Sequence, residues 1–570
     1  LVANIDVRNF LFIGSYREDQ IGADHPLAVQ MRELECKKGA ITSINVGSIS
    51  KEDVNDLISD TIQTPSELTQ PLSDAVYKKT SGKPLLVIRF LHSLWDEELL
   101  QFSLESKSWT WDIDAIDSKE ICDGVVELMS KKILQLPHGC QDTLKLLACL
   151  GSKCNESTLK LLMTDERISD QKSDLKTRQK DKEKEIDYSL WLRSALEEGL
   201  LKKEGQCWMF VHNQIQYAAY SLIPEKKRGH LHKQVGYLLL DRVPDNQVEE
   251  VLFMAVDQLN RGSMFIEETY KRVELAKLNL RAGEKAMSLA AFLSAASYLK
   301  VGIGMLCDGH WESHYDLSLR LYSLYAETEY CNGHFQEVGH FAGLVIKQAK
   351  ELQSKIRVHM TLIKALGAQN KLVDAMGIGF TILTQLGVQC PSPLPESHVI
   401  FEEFTKTWKL FANRTNAELL SLNMMDDNDI LDAMKILHLL SLYAYLSSQE
   451  HLYIINITML KLTMQYGVCN ESCAALAVCS FMLVGTENFK ESEHIAYLAM
   501  TILEKLEAKE FLPQVLLCGF SGIFCYTKQF KRSFEPLLRS YQVGMQTGGI
   551  QYAMTSASRL IIISFIAGQN

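Results

Sequence analysis

The chain has 570 residues, several times the ~100–200 of an ordinary domain, which excludes a single compact domain and leaves several units or one extended repeat array. With 46% apolar and 23% charged residues and a mean hydropathy of -0.05, it is neither bulk-disordered nor a membrane protein. The 59 Lys and Arg against 70 Asp and Glu, a net charge of -11, leave no basic footprint, so nucleic acid is not an expected partner.

The twelve prolines, well below the usual ~5%, favour long helices over a proline-punctuated β protein. Residues 1–50 carry the one clear α/β signal. Two β-rich runs, 9–15 (NFLFIGS) and 41–46 (ITSINV), flank a helical stretch around 26–38, as in the last part of a parallel-sheet domain. Ser50 then caps a short helix over 51–60, with Asp53 at its third position. Helices over 67–80 and 84–100 are joined through Ser81-Gly82-Lys83-Pro84, where Gly ends one helix and Pro begins the next. Alternation over 102–113 (FSLESKSWTWDI) predicts a small hairpin.

Over 118–240, short helices (125–135, 141–150, 157–163, 190–200) precede a strand pair, 200–203 and 207–211, across Glu204-Gly205. This is the element order of a winged-helix domain. Residues 164–185 interrupt it with seven basic and seven acidic residues and almost nothing apolar; the charges cancel, so the stretch reads as a solvated insertion. From 241 to 570 nearly everything is amphipathic helix in pairs, with turns at Asn332-Gly333-His334, Gln369-Asn370-Lys371, Glu487-Asn488 and Thr527-Lys528-Gln529. Where the turn spacing is readable it is about 40 residues, and Phe335, Phe489 and Phe530 each follow a turn, as in tetratricopeptide-like hairpins where one aromatic packs between the paired helices. Such an array stacks into a curved α-solenoid whose concave surface binds protein partners or ligands.

The fourteen cysteines lie mostly in apolar helical stretches without framework spacing, which reads as reduced thiols of the cytoplasm. Cys469 and Cys473 stand at i,i+4 with no further ligand at finger spacing, and read as buried apolar thiols rather than a metal site. His230 and His232, two apart on a helix, point to different faces and do not suit one metal. The longest uncharged apolar run, 474–485, falls short of the ~18–20 residues that span a bilayer. The chain opens on Leu1 and stops in LIIISFIAGQN, so it reads as a fragment of something larger. No Gly-x-Ser-x-Gly, His-Glu-x-x-His, His-Arg-Asp or Asp-Phe-Gly motif occurs, and none of the corresponding hydrolase or kinase centres is expected in this chain.

Three islands in order, residues 10–27 (FLFIGSYREDQIGADHPL), 81–90 (SGKPLLVIRF) and 210–224 (FVHNQIQYAAYSLIP), resemble the signal-transduction ATPases with numerous domains, in the branch attached to multi-sensor serine/threonine and histidine kinases. Residues 279–337 are similar to the helical repeats that follow the ATPase in those kinases, and the resemblance fades beyond about residue 390. It implies a mainly α fold: 1–50 as the C-terminal part of an ATPase core of the P-loop type, 51–117 as its helical lid, 118–240 as the winged helix with its charged insertion, and 241–570 as the solenoid. It further implies that Arg17 reports the γ-phosphate, that Gly82 and Pro84 form the turn near the adenine, and that His212 contacts the β-phosphate of ADP. Ordinary readings stand beside each: a surface Arg after a strand, a Gly stop with a Pro start, and a packed histidine. Asn213 occupies the position where that family often carries an acid.

No Gly-x-x-x-x-Gly-Lys-[Ser/Thr] loop occurs, so ATP or ADP with Mg is expected of the complete protein and not of this chain alone. The expected function is a nucleotide-dependent switch and sensor region of a signalling protein with attached kinase or sensor domains, able to form nucleotide-dependent oligomers. Alternatives are a non-enzymatic repeat scaffold with a degenerate ATPase remnant, or the regulatory region of a transcription activator like the maltose-operon regulator or of a soluble adenylyl cyclase.

Overall fold

The computed structural model describes residues 13–16, 27–28, 31–32, 42–103, 108–118, 125–163, 188–243, 248–391, 393–414, 418–419, 421–528 and 530–568. The protein is mainly helical with few strands. It forms two compact units, Leu1–Leu159 with Lys182–Pro224, and Lys160–Asp181 with Glu225–Asn570.

In the first unit, α1 (Lys51–Ile62) starts at a reciprocal cap. The Ser50 hydroxyl accepts the Asp53 N–H at 3.1 Å, and the Asp53 carboxylate accepts the Ser50 N–H at 3.1 Å. Helix α2 (Ser66–Thr80) packs on α1, and α3 (Pro84–Asp96) follows after a short turn. Their apolar faces, Val54 and Ile58, Leu72 and Val76, Val87, Phe90 and Leu94, make one core. The expected hairpin is present as β1 (Leu100–Ser103) against β2 (Ser108–Trp111), with Leu100 opposite Trp111. Then come α4 (Ile113–Ser118), α5 (Val125–Gln135), α6 (His138–Leu150), β3 (Lys153–Asn155), α7 (Glu156–Met163) and α8 (Tyr188–Glu197). β4 (Leu201–Glu204) and β5 (Cys207–Phe210) pair across a two-residue turn in which Gly205 takes φ 59°, and β3 joins the other side of β5, so the antiparallel order is β3-β5-β4. α9 (Asn213–Ser221) follows and packs on α5 and α6.

The second unit is built from antiparallel helix pairs: α10 (Glu225–Arg242) with α11 (Val248–Arg261), and α12 (Thr269–Ser288) with α13 (Phe292–Met305). After the single turn α14 (His310–Ser313) come α15 (Tyr315–Asn332) with α16 (Phe335–Gln348), and α17 (Leu352–Ala368) with α18 (Leu372–Gln385). α19 (Ser397–Ala412) packs on α21 (Gln449–Tyr466), itself the partner of α20 (Asn428–Ser447). α22 (Asn470–Val484) pairs with α23 (Phe489–Leu506); α24 (Leu512–Gly522), the short α25 (Phe524–Thr527), α26 (Phe534–Thr547) and α27 (Ile550–Ile566) complete the unit. One core runs from Ile356 to Val515. Large side chains are seated on helix glycines within it and beside it: Leu299 on Gly283, Leu440 on Gly379, Tyr443 on Gly367 and Phe481 on Gly522, positions where a Cβ would overlap the seated group.

Three expectations are corrected. Residues 42–46 carry no strand, and Ile44 and Val46 are 81% and 89% exposed; a strand exists through a paired neighbour, and none of the described residues supplies one. Residues 13–15 likewise carry no strand. Two of the three aromatics after the turns, Phe489 and Phe530, are 39% and 38% exposed rather than clamped between paired helices, whereas Phe335 is partly buried with its ring 6.5 Å from that of Tyr330 on the paired helix α15. A residue that directly follows a turn sits near the hairpin tip, and the fully buried positions of α16 are Val338, Ala342 and Val345.

α20 is the one helix among the described residues long and apolar enough to cross a membrane, and half of its apolar window is buried inside the unit.

Candidate functional site

The turn between α2 and α3 is held by backbone alone. Ser81 and Gly82 both take left-handed angles, φ 50° and 65°. The Ser81 N–H donates to Tyr77 at 2.8 Å and the Lys83 N–H to Thr80 at 3.1 Å. The Gly82 carbonyl accepts the Ile49 N–H at 2.9 Å, and a Cβ on Gly82 would overlap the Ile49 carbonyl oxygen. Gly82 is therefore required twice, by its φ and by the close passage of residue 49. Pro84 occupies the first position of α3, where no intrahelical donor is lost and its fixed φ favours the helix.

His212 is exposed and caps α9: with extended backbone (φ -148°, ψ 145°), its Nδ1 accepts the Gln214 N–H at 3.1 Å. That bond places the proton of the neutral ring on Nε2. The groups next to Gly82 are Ile49 and Tyr77, and the His212 ring accepts the Gln214 N–H, so the turn and the histidine share none of these neighbours. Arg17 lies outside the described residues.

Arg89 belongs to no catalytic or ligand-binding sequence motif. On α3, its Nη2 donates to the Gly199 carbonyl at 2.6 Å and its Nη1 to the Glu198 carbonyl at 3.4 Å, at the C-terminal end of α8. Both carbonyls belong to the turn that directly follows the last helical residue, Glu197. Burial lowers the Arg89 pKa, and the nearby Glu198 carboxylate opposes that shift. Glu198 is itself held at 2.8 Å by Lys132. The signal in the sequence is one cation in the middle of the apolar run PLLVIRFLHSLW.

His212 offers a phosphate oxygen one imidazole N–H, but the described residues include neither a glycine-rich phosphate cradle nor a group of three or more His, Cys, Asp and Glu able to hold a metal ion. The fit to ADP is thus limited to His212. Cys469 and Cys473 are 3% and 0% exposed; burial pushes the Cys469 thiol up to about 12 and Cys473 higher still, so both are inert thiols. His232 is buried with Nδ1 2.7 Å from Gln258, while His230 stands on the outer face against the ring of Phe265.

No protein-family profile matches the chain. A solved structure of a signal-transduction ATPase with numerous domains that carries a tetratricopeptide-repeat sensor, from Pyrococcus horikoshii, aligns over 93% of this chain and 72% of its own at 13% identity, with a TM-score of 0.35. Over 457 residues the chain is 24% identical to hybrid signal transduction histidine kinase G of Dictyostelium discoideum; the alignment takes in 72% of this chain and 13% of that protein. The chain is therefore similar, across most of its length, to a small part of a much longer signal-transduction histidine kinase.

Proposed function

We propose that this chain is the regulatory and sensor region of a multidomain signal-transduction protein, joined in the complete protein to a sensor kinase in the cytoplasm. The observation that carries this reading is the similarity to a signalling histidine kinase sustained over 457 residues. In it, residues 1–50 close an ATPase core, 51–117 are its lid, 118–240 a winged-helix domain and 241–570 a repeat array that receives a protein or ligand. ADP is held through the Nε2–H of His212, with Gly82 and Pro84 shaping the turn near the base. Arg17 reports ATP, and exchange frees the module, a two-state element biased by nucleotide. The phosphate cradle and the Mg ligands belong to the complete protein.

The test is an ADP titration of the complete protein and its His212→Ala variant. The loss of one hydrogen bond to a charged phosphate is expected to weaken ADP binding about tenfold or more; an unchanged affinity overturns the reading. A second reading, a helical-repeat interaction scaffold whose ATPase remnant is structural, is favoured by the local accounts that Gly82, Pro84 and His212 already have as turn, helix start and helix cap. It prevails if the complete protein binds no ADP.

A further inference from the structure

Arg89 joins places 110 residues apart in sequence. Its guanidinium is half-buried, its hydrogen-bond partners are the main-chain carbonyls of Glu198 and Gly199, and its buried Nε makes no hydrogen bond. The end of α8 that it grips has a fixed shape: Gly199 takes φ 63° and donates to Leu196, and the Leu200 N–H returns to Ala195 at 3.0 Å. The Leu200 carbonyl then accepts the Val211 N–H at 3.1 Å, one residue before His212, while Leu201 pairs with Phe210.

From the guanidinium to the His212 backbone the path is therefore one hydrogen bond to Gly199, a peptide unit to Leu200, one hydrogen bond to Val211, and a peptide unit. At the other end, α3 begins at the Gly82–Pro84 turn, five residues before Arg89. Val87, Phe90 and Leu94 are buried on either side of Arg89 along this helix, which anchors the helix in the core it packs in. A cation lodged against carbonyls at the negative end of a helix dipole is held there by charge as well as by direction.

We propose that Arg89 is a positioning residue that fastens the helix starting at Gly82–Pro84 to the entrance of β4 and so sets where His212 stands. Only its effect on nucleotide rests on the function proposed above; the coupling between the two places does not.

Two measurements test it. In the 570-residue chain, Arg89→Ala is expected to speed amide exchange at Val211 about tenfold while α1 and α2 keep their protection, and Arg89→Lys, which reaches one carbonyl instead of two, to restore part of it. Unchanged exchange at Val211, or a rise spread equally over α1 and α2, overturns the proposal. In the complete protein, Arg89→Ala is expected to weaken ADP binding when His212 is present and to have no further effect in the His212→Ala background. Additive losses overturn it. If His212→Ala itself leaves ADP affinity unchanged, the nucleotide reading fails, and the exchange rate at Val211 still decides the coupling.

Discussion

Gly82 shows how much one missing side chain can carry. An L residue at φ 65° is strained, and a Cβ would also displace the Ile49 carbonyl and press on the Tyr77 ring at 2.9 Å. Gly82→Ala is therefore expected to destabilise the first unit by roughly 2–3 kcal/mol, seen as a lower urea midpoint with the slope unchanged. Gly205 is the control: it has φ 59° with nothing within 4 Å of a built Cβ, so Gly205→Ala should cost only the backbone strain, about 1 kcal/mol. The glycine-to-proline turn was legible because both residues act on their own backbone. Arg89 was not: its partners stand 110 residues away, and no local pattern tells a buried cation that finds carbonyls from one that reaches water.

Helix ends carried their own instructions. Ser50 and Asp53 cap each other at the start of α1 as their spacing predicts, and the observed starts and ends of α1 to α3 fall within a few residues of the expected ones. The Ser50→Ala change removes the acceptor for the Asp53 N–H and should cost about 1 kcal/mol, measured by thermal unfolding of the chain. The hydrogen bonds from Ser50 also hold the Asp53 carboxyl below its ordinary range. Strands were less legible. The hairpin β1–β2 and the pair β4–β5 carry their partner a few residues away, and both are present. The described parts of the other two runs, 13–15 and 42–46, carry no strand, since a strand there needs a partner from elsewhere and hydrophobicity alone does not supply one; residues 9–12 and 41 lie outside the described residues. Phe489 and Phe530 are more exposed than expected for a related reason: periodicity locates a turn but not how far past it two helices overlap.

Across the second unit, burial acts in one direction on four histidines, His232, His310, His359 and His438, holding each below its ordinary pKa. His438, against the ring of Phe511 at 5.0 Å, is pushed down to about 4. Above the unfolded value near 6.5 both states are neutral and nothing is lost. As pH falls below it, the unfolded chain takes protons that the folded unit refuses, so stability declines between about pH 6.5 and 4. For His438 alone the loss is on the order of 3 kcal/mol. A series of urea melts from pH 7.5 to 5 is expected to show a falling midpoint, with a shallower fall in His438→Gln; a flat profile in the parent chain contradicts the neutral buried state. The seats that pair Gly283 with Leu299, Gly379 with Leu440 and Gly367 with Tyr443 bear on the unit's descent as well as its packing. A methyl group gained on the glycine side is tolerable only after the facing residue has shrunk, and a shrunken facing residue leaves a void until the methyl arrives. Each seat and its occupant are thus expected to change together, and a lineage that has lost the glycine should be found to have traded its partner for something smaller.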